Sequence, residues 1–327
     1  MKNLKVLVVG GAGYIGSHLV RTLKKEGCKN VVVLDNLSSG HKFLAERAGA
    51  DYIATFDCSN PIKLFELFNE YKFDVVFHLG AFSIIPNSIK NPIDYYINNV
   101  YSTAILLDVM KIAKCNAIVF SSSAAVYGNP SSYPINEEHE LAPINPYGKT
   151  KVAMEWLISD VSRSSNIKFI ALRYFNAAGA DYDGDIGERH NPETHLIPLL
   201  INSVIKDTEF NVYGNNYDTE DGTAIRDYVH VNDIAKAHIL CSKYLLDGGK
   251  SDVYNIGTGN GTSVLEIINS LSKILNEKIL YSFQERRVGD PPILVASYEK
   301  IMSNLNWRPE IGIDDILNTA WNWHSDF

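Results

Sequence analysis

The stretch LKVLVVGGAGYIGSHLVRTLKKEG, Leu4 to Gly27, carries most of what decides the fold. A short aliphatic run, Val6 to Val9, stops at Gly10 and Gly11, and a helical pattern begins at once and closes at Gly27. Fully apolar runs of this length suit strands covered on both faces. Glycines at 10, 11, 13 and 16 allow a tight strand-to-helix turn and a close backbone approach to a pyrophosphate, whose charge the helix N-terminus favours. The alternation continues outward. NVVVLDN, ADYIATFD, FDVVFHLG, NAIVFSSS and IKFIALRYFN read as further strands, with helical stretches such as PIKLFELFNEYK and STAILLDVMKIAK between them. This rhythm implies parallel strands joined by right-handed crossovers, hence an α/β protein with a Rossmann-type doubly wound sheet.

After about residue 176 the rhythm changes. AAGADYDGDIGERHNPETH is polar, rich in glycine and loop-like. Smaller elements follow: a helix in LIPLLINSVIK, a strand in FNVYG, a helix in VNDIAKAHILCSKYLL, and a helix in SVLEIINSLSKIL with Ser263 as its N-cap. The nucleotide-binding domain is therefore expected over 1–176, with a strand and helices contributed from later segments. A smaller α/β part, mainly for substrate, is expected over 177–327.

Composition narrows the function. The chain has 327 residues, 46% hydrophobic and 21% charged, with a formal net charge of −8 and both signs interspersed. Bulk electrostatic binding to nucleic acid or to an anionic membrane is not expected. Val6–Val9 is too short for the apolar region of a secretory signal, and no stretch reaches the ~20 apolar residues of a membrane helix. Cys28, Cys58, Cys115 and Cys241 form no C-x-x-C pair and read as reduced thiols. A cytoplasmic location is expected.

The glycine loop has an acidic partner. Asp35 ends the next strand, where a carboxylate would bind an adenosine ribose, and no arginine follows to receive a 2′-phosphate. NAD is expected rather than NADP. Asp57 after the third strand and HLGAF, His78 to Phe82, after the fourth belong at the same carboxyl edge. There Asp57 could accept from the adenine amino group; as a structural carboxylate it would instead start the helix before Pro61.

The string NPYGKTKVAMEW, Asn145 to Trp156, puts Tyr147 and Lys151 one helical turn apart. Alone the pair is commonplace. Beside the glycine loop, Asp35 and the strand-end Ser123 it has chemical sense. A free phenol has a pKa near ~10. A lysine ammonium within a few ångströms, together with the positive nicotinamide ring, is expected to lower it, so that Tyr147 removes a hydroxyl proton while Ser123 hydrogen-bonds the same oxygen.

These motifs together resemble the extended short-chain dehydrogenase/reductases. More specifically, YYINNV, LRYFNAAGA, ETHLIP, DGTAIRDYVHVND, YNIGTGNG, RRVGDPP and LNWRP, in this order, are similar to the UDP-glucose 4-epimerases within that family. The resemblance implies an NAD-dependent isomerase that inverts C4 of a UDP-hexose by transient oxidation to a 4-keto sugar, rotation and re-reduction. It implies Tyr147 as base, Lys151 as its modulator and holder of the nicotinamide ribose, and Ser123 as assistant. Cofactor-binding positions implied by it are Gly10, Gly13, Tyr14, Ile15, Gly16, Asp35, Asn36, Ser38, Gly40, Asp57, Cys58, Leu79, Gly80, Ala81, Ser83, Asn98, Ser121 and Phe175, besides Tyr147 and Lys151. Substrate positions are Ser123, Asn176, His195, Leu196, Tyr213, Arg226, Arg287, Asp290 and Leu294. Two arginines would suit a diphosphate.

The chain departs from the family pattern in places. Val9 stands where threonine or serine is frequent. Ser83, Pro86 and Asn87 stand where a basic or small residue, a glycine and a glutamate are frequent, and His195 where some members have asparagine. Sister activities fit less well. Ala124 and Ala125 follow Ser123, so the acid–base pair of a sugar-nucleotide dehydratase and the glutamate of a UDP-glucuronate decarboxylase are both missing. A non-enzymatic NAD sensor would tend to lose the tyrosine or lysine. His190 and His195, like His230 and His238, lack further ligands at metal-like spacing in the sequence, so no metal is expected. YYINNVYSTAILLDVMKIAK and KVAMEWLISDV are apolar on more than one face. The family resemblance implies a homodimer through them, whereas the pattern alone fits a buried core equally well.

Overall fold

The structure, a computed structural model, describes residues 2–287 and 290–326. The chain divides into two compact units: Met1–Gly128, Leu141–Tyr174 and Ala235–Tyr254 form the first, and Asn129–Glu140, Phe175–Ile234 and Asn255–Phe327 the second. The break at 174/175 falls beside the expected boundary, but the chain also crosses between units at four other places. Asn129–Glu140 goes with the second unit because Ile135 bridges Ala296 and its carbonyl accepts from Asn255 Nδ2 at 2.8 Å.

The first unit is built on a seven-stranded sheet. Its order is Asp252–Ile256, Lys168–Tyr174, Ala117–Ser123, Val75–His78, Lys5–Val9, Asn30–Leu34, Tyr52–Ala54. From Lys168–Tyr174 to Tyr52–Ala54 all neighbours run parallel. The chain order reverses between Lys5–Val9 and Val75–His78, the kind of point where such sheets bind ligands. The runs read as strands are strands because their side chains are apolar on both faces, and both faces are covered. Leu7, Val76, Ile118, Phe120, Phe68 and Met154 belong to one buried cluster. Pro61–Tyr71 starts where expected, capped by Asn60, whose side chain accepts from the Lys63 amide at 3.1 Å. Asn60 thus takes the helix-start role that Asp57 could have held.

The helix Pro146–Ser164 is set by its opening residues. Asn145 Oδ1 accepts from the Gly148 amide at 2.9 Å, and Pro146 occupies the first turn, where its missing N–H costs nothing. This start puts Tyr147 and Lys151 on the face toward the strand Ala117–Ser123. Between Pro92–Tyr95 and Ser102–Ala113 the helix widens into a π-helical turn, Tyr96–Tyr101, which the sequence pattern did not disclose. One such extra residue leaves composition and period almost unchanged.

The second unit carries small sheets. Asn176–Ala178 pairs with Tyr228–His230, and Phe210–Tyr213 with Tyr281–Gln284, both in parallel. Ile225–Arg226 lies between Thr262–Ser263 and Ile293–Leu294. Leu200, Ile201, Ile267, Leu271, Ile316 and Leu317 form part of its core. Ser263 caps Val264–Leu275 as expected, and Glu266 reaches back to complete the capping box. No helix among the described residues is long and apolar enough to cross a membrane. The four cysteines are free.

Candidate active site

The turn after the first strand leaves no room for side chains. Gly10 has φ +80°, and a methyl group there would lie 2.5 Å from the Gly80 nitrogen; on Gly16 it would lie 2.1 Å from the Gly10 carbonyl oxygen. Gly13 begins the helix Tyr14–Lys25 without any side-chain cap, and no acidic residue stands in the first turn. A helix N-terminus that no side chain caps suits a pyrophosphate. Asp35 is buried at the end of Asn30–Leu34, its oxygens accepting from the Ala12 amide at 3.0 Å and the Leu37 amide at 2.9 Å. Burial raises its pKa against those two donors. Each oxygen keeps a lone pair for a ribose hydroxyl, and a side chain at Gly40 would meet this carboxylate at 2.9 Å.

The other cofactor positions of this unit surround that turn or the neighbouring strand ends. Asn36 Nδ2 donates to Asp57 at 2.9 Å. Burial pushes the Asp57 pKa up, but hydrogen bonds from Ser59 and Asn36 outweigh it and the net shift is downward. Cys58 is pushed up to about 12 by burial, so its role is that of an apolar wall. Asn98 lies in the π-helical turn and donates to Asn99 Oδ1 at 2.9 Å. Asn99, which the sequence reading passed over, also holds the Phe82 amide at 2.8 Å and reaches Thr150 Oγ1 at 3.0 Å. It ties three segments together at this edge.

Ser121, Ser122 and Ser123 dock the Tyr147 helix residue by residue. Ser123 stands close enough to the Tyr147 phenol for its hydroxyl to counter part of the rise in the phenol's pKa. The Ser121 carbonyl accepts from Lys151 Nζ at 2.6 Å. The Ser122 hydroxyl donates to Glu155, one turn beyond Lys151. Glu155 in turn holds Arg173 in a two-pronged pair, Nε at 3.0 Å and Nη2 at 2.7 Å, and Arg173 Nη1 donates to the Tyr127 hydroxyl at 2.8 Å. The register between strands puts Arg173 beside Ser122, which is how both reach one carboxylate.

The expected lowering of the Tyr147 pKa is not what this geometry produces. The phenol is half-buried in surface terms but densely enclosed, and burial pushes it up to about 12 despite the Ser123 hydroxyl. Lys151 is itself pushed down to about 7 by burial, with the Glu155 charge opposing. Its ammonium sits 5.8 Å from the Tyr147 ring centre and 5.0 Å from that of Phe120, aimed at Ser121 rather than at the phenol oxygen. Helical spacing of four residues says which face a side chain occupies, not which acceptor it chooses.

In the second unit, Arg226 Nη2 pairs with Asp290 at 2.6 Å, and Tyr217 donates to the same carboxylate at 3.2 Å. The Arg287 guanidinium lies 4.4 Å from the Tyr213 ring centre. In this structure each arginine is thus engaged by the protein, rather than left as a free clamp. Leu294 is half-buried and stands in register with Arg226 on the adjacent strand. Phe175 is buried, while Asn176, Tyr213 and His195 are exposed; Leu196 opens the helix Leu196–Ile205 directly after His195. His195 Nδ1 bonds Glu188, which also holds His190 at 3.0 Å, and Glu193 stands close to both rings. The two histidines thus have carboxylate neighbours that the sequence reading did not pair with them.

A doubly wound sheet, a tight glycine turn at a helix N-terminus, a buried carboxylate at the next strand end and a Ser–Tyr–Lys group define an NAD-dependent enzyme of the short-chain dehydrogenase/reductase class. The profile of the NAD dependent epimerase/dehydratase family matches residues 6–257, and the chain belongs to that family. It is 47% identical to a UDP-glucose 4-epimerase of Lactobacillus helveticus, covering 98% of this chain and 97% of that one. The structure is similar to that of a Brucella ovis UDP-glucose 4-epimerase in complex with NAD, with TM-score 0.93, 41% identity and 97% of each chain covered. It is also similar to a Stenotrophomonas maltophila UDP-glucose-4-epimerase with bound NAD and formylated UDP-arabinopyranose, with TM-score 0.96, 34% identity, and 99% and 98% covered.

Proposed function

We propose that this enzyme interconverts UDP-glucose and UDP-galactose by inverting C4 of the sugar, with the chemistry at Tyr147, Ser123 and Lys151. The observation that carries the reading is the docking of Pro146–Ser164 by three consecutive serines, which fixes a phenol, a hydroxyl and an ammonium at one strand end. Bound NAD would supply the acceptor and later the donor of the C4 hydride, held by the glycine turn, Asp35 and Lys151. Tyr147, as the phenolate that the positive nicotinamide ring of bound NAD and the Lys151 ammonium would favour, takes the proton of the sugar 4-hydroxyl and returns it. Ser123, already close to the phenol, orients that oxygen and the substrate oxygen together. The sugar turns over between the two half-reactions while Arg226, Arg287, Asn176, Tyr213 and Asp290 hold the UDP and His195 and Leu196 border the sugar. The purified protein, without added NAD, should convert UDP-galactose to a mixture with UDP-glucose, and denaturation should release NAD. Failure of that conversion, or release of NADP alone, contradicts the reading.

The N-acetylated pair, UDP-N-acetylglucosamine and UDP-N-acetylgalactosamine, is proposed as a slower second substrate. Leu294 stands in register with Arg226 and is intermediate in volume between a tyrosine, which would close a pocket at that place, and a serine, which would open it. Leu294→Tyr should lower the kcat/KM ratio of N-acetylated to plain substrate, and Leu294→Ser should raise it. One extra or missing small group in a pocket is worth about 1–3 kcal/mol, or roughly 10–200-fold. A ratio unmoved by either change removes Leu294 from the pocket.

The assembly is proposed to be a homodimer. Ile93, Ile97, Tyr101 and Ile112 are exposed on and around the π-helical turn, and Trp156 is 63% exposed on the Tyr147 helix. Large apolar groups gathered on an outer face mark an interface. Sedimentation equilibrium should give twice the mass of one chain, and Trp156→Glu should shift it toward one. A wild-type protein of single-chain mass refutes the proposal.

A further inference from the structure

The loop before Leu196–Ile205 gathers four metal-type donors within eight residues: Glu188, His190, Glu193 and His195. We propose that they form a binding site for a first-row divalent cation of the zinc type, in the second unit. Two imidazoles with two carboxylates are the donor set that such ions take in proteins. One ligand atom from each residue lies within 4.8 Å of all the others. The approaches that define the group are 3.0 Å from His190 Nδ1 to Glu188, 3.8 Å from His190 Nδ1 to Glu193 and 3.9 Å from His195 Nδ1 to Glu193. In a tetrahedral site with bonds of about 2.0–2.1 Å, ligand atoms stand about 3.3 Å apart. The His190–Glu188 approach falls below that value and the two to Glu193 above it, and His195 Nδ1 lies closer still to Glu188, so an ion would enter with shifts of the side chains.

The site is held from behind. The Glu188 carbonyl accepts from Trp323 Nε1 at 2.7 Å, and Gly187 lies so close to the Trp323 ring that a methyl group there would come within 2.4 Å of it. Glu193 is fixed by the Thr194 and His195 amides at 2.7 and 2.9 Å. The Glu188 side chain is only 4% exposed, whereas that of His195 is 55% exposed and leaves a way in. Two carboxylates placed together, one of them buried, call for two positive charges nearby. A single dication beside two neutral imidazoles supplies them, as do two imidazolium protons.

Cobalt(II) alone is the probe that separates these cases. The untagged enzyme, purified with its own cofactor and stripped with EDTA, should take one equivalent of cobalt with visible d–d absorption, and zinc should displace it. His190→Ala and the surface change His195→Ala should each abolish the saturable step, with the melting temperature of the His195 variant showing that it is folded. Absence of a saturable band in the wild type, or an equal band in a folded His195→Ala protein, overturns the proposal. Either result leaves Glu188 as a hydrogen-bonded bridge between two imidazolium rings.

Discussion

Replacing Tyr147 by phenylalanine should lower kcat for UDP-galactose about 10²–10⁴-fold, the range that a positioned acid–base group supplies, or about 3–5 kcal/mol of barrier. The change removes one oxygen and little else. The ring stays, the Thr150 hydroxyl still donates to the backbone carbonyl of residue 147 at 2.7 Å, and Asn145 still caps the helix. The glycine turn and Asp35 are untouched, so the variant should fold and keep its NAD. What disappears is the phenol oxygen beside the Ser123 hydroxyl, the group that exchanges a proton at that spot. In the protein alone burial holds this phenol up to about 12 and Lys151 down to about 7. Substitution therefore deletes a proton carrier rather than a standing charge, and melting temperature should hardly move. Turnover near that of the parent protein, with NAD content preserved, would show that another group carries the proton.

Arg173→Leu should destabilise the first unit by about 3–5 kcal/mol, because it leaves a buried glutamate without its counter-charge. Arg173 and Glu155 side chains are 5% and 6% exposed, and they meet through two hydrogen bonds. Water cannot take over the lost partner at that depth. For a unit of this size the loss corresponds to about 6–20 °C in Tm. Adding Glu155→Leu should recover part of it, since two apolar groups carry no uncompensated charge, although the Ser122 and Tyr127 hydroxyls then lose their partners. The same arginine variant should raise KM and lower kcat together, as Glu155 stands one turn beyond Lys151 on the helix that three serines dock. An unchanged Tm in Arg173→Leu would mean that Glu155 finds other support and that the pair is not what anchors the helix.

The sheet was legible because its signal is local. Short runs such as Val6–Val9 and Val75–His78 are apolar on both faces, glycines break them, and Asn60 and Ser263 mark helix starts through hydrogen bonds to residues three along. The position of Asp35 was legible for the same reason, since it directly follows the strand Asn30–Leu34. The Glu155–Arg173 pair was not, because it depends on the register that sets Arg173 beside Ser122, and single residues on a helix and a strand do not announce it. Glu188 and Glu193 were hidden in a loop, where no period points to a shared target. Spacing brought Lys151 to the face of Tyr147 but did not disclose that the Ser121 carbonyl accepts from its ammonium. The division at 176 came with a strand and helices expected from later segments; pattern along the chain does not say which, and in the structure 235–254 returns to the first unit.

That return has a consequence for the growing chain. His238 bonds the Tyr174 hydroxyl and packs 6.1 Å from the Phe77 ring, and Asp252–Tyr254 edges the sheet beside Lys168–Tyr174. Tyr254 leaves the ribosome 80 residues after Tyr174. At about 5–20 residues per second, the interval is roughly 4–16 s. During that time the nascent sheet has its glycine turn and its catalytic helix but lacks the outer strand and the helix that cover its far edge. The most vulnerable moment for this enzyme is therefore during its own synthesis, and slow codons between positions 175 and 234 would lengthen it.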